Sequence, residues 1–377
     1  MNCYLDNSAT TKPCKEAVSA AEKAMTEAFG NPSSLHQYGF SALQMLEEAR
    51  ARVAKALSAS ANEIYFTPSG TVANNTAVFG AVMQNHRRGN KIVTTAFEHP
   101  SVENCMRRLE EQGFEVVRLS PDASGNITAA QFEDAVDDKT ILVSLMAVNN
   151  EVGSILPFDK IQNIIRRKNA PALLHVDAVQ GFMKLPIAPK KCGVDLLSVS
   201  AHKIHGLKGA GALYLRNGLH LKPYVLGGGQ EGGICSGTQA MPAIAAFGAA
   251  VRAAGDILKN QERVRALYDR LVNGLLQIDG VRINSPENAL PYIVNISVKG
   301  IPSQVSVNYL SSVGIYVSAG SACAKGHRSP VLTAMGLSAS EIDTAVRLSL
   351  SRETTESEID ACLEAIKTEV QTLRKKG

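Results

Sequence analysis

Short, nearly continuous apolar runs alternate along the chain with longer stretches whose apolar residues recur every three or four positions. The runs around Ile64-Tyr-Phe, Ile92-Val, Thr140-Ile-Leu-Val-Ser-Leu-Met-Ala-Val, Leu173-Leu-His-Val and Leu196-Leu-Ser-Val are of strand length. Their lack of polar alternation fits a sheet covered on both faces. From Ser41 to Leu57 the apolar residues Leu43, Leu46, Val53 and Leu57 share one face and leave Glu47, Glu48, Arg50 and Arg52 to solvent, which predicts an amphipathic helix. Met241 to Gly255 and Ile257 to Leu276 predict two more helices, where a large domain gives way to a small one. Residues 282–299 read as strands, most clearly at Pro291-Tyr-Ile-Val-Asn-Ile-Ser-Val. Thr355 with Glu358 three positions later is a capping box opening a last helix, which buries Ile359, Cys362, Leu363, Ile366, Val370 and Leu373.

Chemistry-bearing residues gather where the strands stop. After the strand at 63–67 come Ser69-Gly-Thr71 and a helix opening at Val72-Ala-Asn-Asn, and a strand, glycine turn and helix N-terminus present free amides to an anion. His99 follows the strand starting at Lys91, and Asn149-Asn150-Glu151 follows the one starting at Thr140. Asp177 and Gln180 close the third, and Ser200, His202 and Lys203 close the fourth. In parallel α/β sheets ligands sit at those ends. A lysine beside a buried strand is costly to keep charged, and an environment that lowers its pKa yields an amine suited to attack a carbonyl. Farther on, Val317-Ser-Ala-Gly-Ser-Ala-Cys323 is a loop of small residues, and Lys325, His327 and Arg328 nearby favour a thiolate at Cys323.

Composition narrows the class without naming a reaction. With 377 residues, 45% of them hydrophobic, the chain is long enough for two domains with sizeable cores. The net charge of +4 is spread rather than clustered, which argues against a nucleic-acid partner. Met1-Asn-Cys-Tyr-Leu-Asp-Asn lacks the regions of a signal peptide and no long apolar run suggests a membrane span, so a cytoplasmic protein is expected. The seven cysteines are odd in number and widely spaced, implying neither a disulfide framework nor a metal site.

His175-Val-Asp-Ala-Val-Gln180 followed by Ser200-Ala-His-Lys203, together with Ser318-Ala-Gly-Ser-Ala-Cys323 and Val346-Arg-Leu-Ser-Leu-Ser-Arg352, resembles the cysteine desulfurases. These are fold-type I pyridoxal-phosphate enzymes of aminotransferase class V, and the similarity runs from Tyr4 to Arg352. The resemblance implies a large α/β domain, residues 14–255, with a mostly parallel seven-stranded sheet between helices. It implies a smaller α/β domain from residues 1–13 and 256–377 that carries the cysteine loop. Pyridoxal 5'-phosphate is then the implied cofactor. Lys203 would be its anchor, Asp177 the partner of the ring nitrogen, His99 the stacking residue and proton relay, and Gly70, Thr71, Asn150, Gln180, Ser200 and His202 further contacts. Thr238, in the glycine-dense Pro223-to-Thr238 segment, would reach the cofactor of a second subunit in a homodimer. Arg347, Asn150 and Asn7 would hold L-cysteine, and Cys323 would accept its sulfur as a persulfide for an acceptor or iron–sulfur scaffold protein. A selenocysteine or cystine lyase, a class V aminotransferase and a non-catalytic dimeric paralogue remain alternatives. The chain departs from the family pattern at Val72, where a glutamate is usual, and at Cys235, where an arginine is usual. It also stops soon after its last helix, without the tail some members use to dock a scaffold.

Overall fold

The computed structural model describes residues 2–319 and 328–374. Chain order gives strands β1 (Cys3–Tyr4), β2 (Ile64–Thr67), β3 (Lys91–Thr95), β4 (Glu115–Leu119), β5 (Thr140–Met146), β6 (Leu173–Asp177), β7 (Leu196–Ser200) and β8 (Gly211–Leu215). The small sheets add β9 (Val281–Ile283), β10 (Ile293–Val298), β11 (Ile315–Tyr316), β12 (Ser318–Ala319) and β13 (Ala345–Ser349).

Seven strands form one sheet in the order β2-β8-β7-β6-β5-β3-β4. Pairing is parallel from β7 through β6, β5 and β3 to β4, and β8 runs antiparallel to both β7 and β2. Every residue of β5, β6 and β7 is buried, as the unbroken apolar runs predict, and so is every residue of β8. Helices Gly70–Asn85 and Pro100–Glu111 cover one face, where Ala77, Val78, Val102 and Met106 pack on Ile92, Leu142 and Leu196. Leu46, Val53, Ile161 and Phe247 cover the other, against Val143, Val176 and Leu197.

A second sheet, β12-β13-β10-β9, is antiparallel, and β1 pairs in parallel with β11. The chain's first strand therefore packs with its last third. The helix at 356–373 has the expected capping box, with the Thr355 side chain accepting from the Glu358 amide. Such a cap contributes about 1 kcal/mol.

Three expectations need correction. The predicted amphipathic helix starts at Gln37, not Ser41, and turns Leu43 outward at 39% exposure, because Ala42 and Ala49 fill the contact instead. Arg50, expected in solvent, is nearly buried: its guanidinium reaches Glu231 at 2.7 Å and the Ile64 carbonyl at 2.7 Å. Leu373 lies in the last turn of its helix, where the core has ended, and is 36% exposed.

Candidate active site

All strands that end in the marked residues finish on one edge of the large sheet, because β2 lies antiparallel to β8 and so points the same way as β7. A cavity of about 480 Å³ opens at that edge. It lies by the switch point between β3, whose chain moves outward to β4, and β5, whose chain moves inward to β6. Gly70, Thr71, His99, Asn150, Asp177, Gln180, Ser200, His202, Lys203 and Arg347 all line it. A larger groove of about 960 Å³ between the helices at 257–275 and 356–373 holds no comparable convergence of chemistry.

Lys203 sits in a short helical turn directly after β7. Its Nζ donates to the Ala9 carbonyl at 2.8 Å and also to the Ser8 carbonyl, so the N-terminal segment closes over it. Burial lowers its pKa to about 8, with Arg347 adding to the shift while Asp6 and Asp177 oppose it. A much larger share of the amine is then neutral near pH 7.5 than for an ordinary lysine.

Asp177, at the end of β6, is fixed from two sides. One carboxylate oxygen accepts from the Asn74 amide at 2.8 Å and the other from the Val179 backbone at 3.0 Å. Asn74 also donates to Ser101 Oγ at 2.9 Å, and that hydroxyl lies 2.8 Å from His99 Nδ1. Because His99 Nδ1 accepts from the Ser101 backbone amide, the neutral ring carries its proton on Nε2. Burial holds the His99 pKa below its ordinary value, with Lys203 pushing the same way and Asp177 opposing.

The start of the helix at 70–85 forms an anion cradle. Ser69 caps it by accepting from the Val72 amide at 3.2 Å, while the Gly70 and Thr71 amides have no intrahelical acceptor by geometry. Ser200 Oγ is buried beside them without a hydrogen-bond partner. A side chain at position 70 would meet Val179 at 2.9 Å and Ser200 at 3.3 Å, so glycine leaves the space an anion needs. His202, bonded to Thr10 Oγ1 at 3.1 Å, has its pKa lowered to about 4 by burial and the neighbouring lysines. An anion bound there would meet it as a neutral donor.

Across the cavity, Arg347 projects from β13 between β12 and β10. It donates to the Asn150 carbonyl at 3.0 Å and to Asp6 Oδ1 at 2.9 Å, while its buried Nε has no partner. The two asparagines after β5 divide the labour. Asn149 accepts from the Glu151 and Val152 amides and builds the turn, leaving Asn150 on the cavity wall.

Two predicted residues stand apart. The Asn7 amide is spent on the Tyr4 and Ser349 carbonyls, and Asn7 does not line the cavity: it ties the N-terminal segment to β13. Thr238 is exposed and does not line the cavity of its own chain. Cys323 lies outside the described residues, as do Lys325 and His327. Of the departures, Val72 contributes its amide to the Ser69 cap, and Cys235 is buried with its pKa raised, chiefly by burial. Motif reading missed the roles of Asn74, Ser101, Asp6 and the Ser8 and Ala9 carbonyls. Of these only Asn74 had a signal, three positions beyond the Ser69-Gly-Thr71 turn.

A lysine, a buried acid and an anion cradle at the C-terminal edge of a mostly parallel sheet define an α/β enzyme of the fold-type I kind. The chain belongs to the aminotransferase class-V family, whose profile matches residues 3–362. It is 41% identical to a protein of Trichormus variabilis named cysteine desulfurase 2, over 98% of this chain and 94% of that one. Among solved structures, a NifS-like protein superposes with a TM-score of 0.93 at 37% identity, covering 99% of this chain and 100% of the other. Another, described as SspA in complex with cysteine, has a TM-score of 0.83 at 32% identity and covers 94% and 100%.

Proposed function

We propose that the protein is a pyridoxal-phosphate-dependent cysteine desulfurase, converting L-cysteine to L-alanine and leaving the sulfur on Cys323. The observation that carries this reading is that Lys203 and Asp177 open onto the same cavity as the anion cradle. The site fits the cofactor: the orphaned Ser200 hydroxyl and the Gly70 and Thr71 amides suit its phosphate, Asp177 its pyridine nitrogen, and His99 its ring face. Asn150 and Gln180 suit its phenolic oxygen, and Lys203 is the amine that would carry its aldehyde. Bound there, the cofactor supplies an electron sink for the substrate's α-carbon.

The chain's own residues do the rest. Arg347 holds the substrate carboxylate through its unpaired Nε, with Asn150 beside it. Lys203, depressed to a pKa of about 8, takes the α-proton and returns it, and His99 relays protons through Nε2. The Cys323 thiolate attacks the substrate sulfur: an S–S bond forms, the Cβ–S bond breaks, and the carbon that keeps the electron pair gains a proton. The products are a Cys323 persulfide and L-alanine, and an acceptor or iron–sulfur scaffold protein then takes the sulfur. The relatives' names and the cysteine-bound neighbour support this substrate. The six cysteines among the described residues are free, and a persulfide carrier belongs in a reducing compartment such as the cytoplasm.

The purified protein loaded with pyridoxal phosphate is expected to form L-alanine from L-cysteine, and no alanine would refute the assignment. In the same assay Arg347→Lys, which has no donor at the Nε position and cannot serve the Asn150 carbonyl, Asp6 and the substrate together, is expected to raise KM by about 10- to 100-fold.

The reading also includes a homodimer. Phe29 and Tyr38 lie against each other, tilted by 33°, at 61% and 55% exposure, Leu35 and Leu226 are almost fully exposed, and Thr238 is available to a second copy. Sedimentation is expected to give twice the 40.1 kDa chain mass, and a monomer would remove Thr238 from the proposed site.

A further inference from the structure

Lys184 is a buried lysine that the reaction as described does not use. It is 6% exposed and, among the described residues, has no carboxylate within ion-pair distance. Its Nζ rests on Gln180 Oε1 at 3.3 Å and over the Tyr292 ring at 5.6 Å. An ammonium held this way is poorly compensated for leaving water.

The backbone is bent to put it there. Met183, immediately before it, has φ +59°, a left-handed conformation that costs a non-glycine residue about 1 kcal/mol. The Lys184 and Leu185 amides both donate to the Gly181 carbonyl and close the turn. Lys184 and Lys203 line a second, much smaller chamber behind the cavity. Lys203 therefore faces the main cavity on one side and Lys184 on the other.

We propose that Lys184 is a positioning residue for the site: it pins the Gln180 carbonyl oxygen and so turns the Gln180 amide nitrogen toward the cavity wall beside Lys203. The inference rests on Lys203 being the lysine that carries the cofactor. Gln180 Nε2 already donates to the Ser8 carbonyl at 3.0 Å, the same oxygen that Lys203 contacts, so the two roles meet at one place. The charged and titratable groups around Lys184 are Lys203, Arg347, His202, His205, Arg352 and Tyr292, while Asp6 and Asp177 act from the far side of Lys203. Burial lowers the Lys184 pKa to about 7, with Lys203 and Arg347 adding to the effect, so the contact with Gln180 rests on an N–H donor that the neutral amine keeps.

The test is a spectrophotometric pH titration of the cofactor band in the holoenzyme. Lys184→Met removes the donor to Gln180, whereas Lys184→Gln and Lys184→Arg keep one. Lys184→Met is expected to titrate about half to one pH unit higher than wild type, a 3- to 10-fold rise in proton affinity, because a Gln180 amide left unpinned no longer steadies the deprotonated form. Lys184→Gln and Lys184→Arg are expected to stay near wild type. Replacing the buried amine by an apolar chain of similar size is not expected to lower the melting temperature, and Lys184→Leu serves if Lys184→Met does not fold. A Lys184→Met protein that titrates with wild type would overturn the inference. A wild-type protein with no cofactor band would instead overturn the reading of Lys203, and this inference with it.

Discussion

Lys203→Ala is expected to lower L-alanine formation by about 10³-fold or more and to abolish the cofactor's lysine-linked absorption band. Under the proposed function one side chain would have two tasks, carrying the aldehyde and moving the α-proton. The surroundings of position 203 support both. Its amine is buried enough to be partly neutral near pH 7.5, yet two backbone carbonyls hold it at the cavity wall. Removing it leaves Asp177, Asn74 and the cradle unchanged, so the variant is expected to remain folded and still bind the free cofactor non-covalently. Full activity in Lys203→Ala would exclude the assignment.

Cys323→Ala is expected to reduce alanine formation by about 10²-fold or more while leaving the absorption band intact, because the thiolate acts on the substrate sulfur and not on the cofactor. The contrast between the two variants separates the rival chemistries. A selenocysteine or cystine lyase, or a transaminase, needs no protein thiol and would keep its rate in Cys323→Ala. A non-catalytic paralogue would show no rate to lose.

The sequence revealed most of the sheet because strands buried on both faces read as unbroken apolar runs, as at Ile141–Met146 and Leu196–Val199. It did not reveal β4, whose residues are mostly half-buried at the sheet's edge, or β8, whose apolar run follows a glycine-rich turn. Cavity-lining residues next to strand ends, such as His99, Asp177 and Lys203, were legible from position alone. Residues that work through distant partners were not. Arg50 looks like a surface charge until Glu231 arrives from far along the chain, and Asn74 gains its role only when β6 brings Asp177 beside it. Lys184 was illegible for the same reason: its meaning depends on Met183 bending the chain and on Gln180 lying above it.

The most direct test of the central claim is peptide mass analysis of the holoenzyme after brief mixing with L-cysteine. The account predicts one added sulfur atom on the peptide containing Cys323, removed by thiol reductant and absent in Lys203→Ala. Alanine released with no sulfur on Cys323, or sulfur on Cys323 without Lys203, would contradict it.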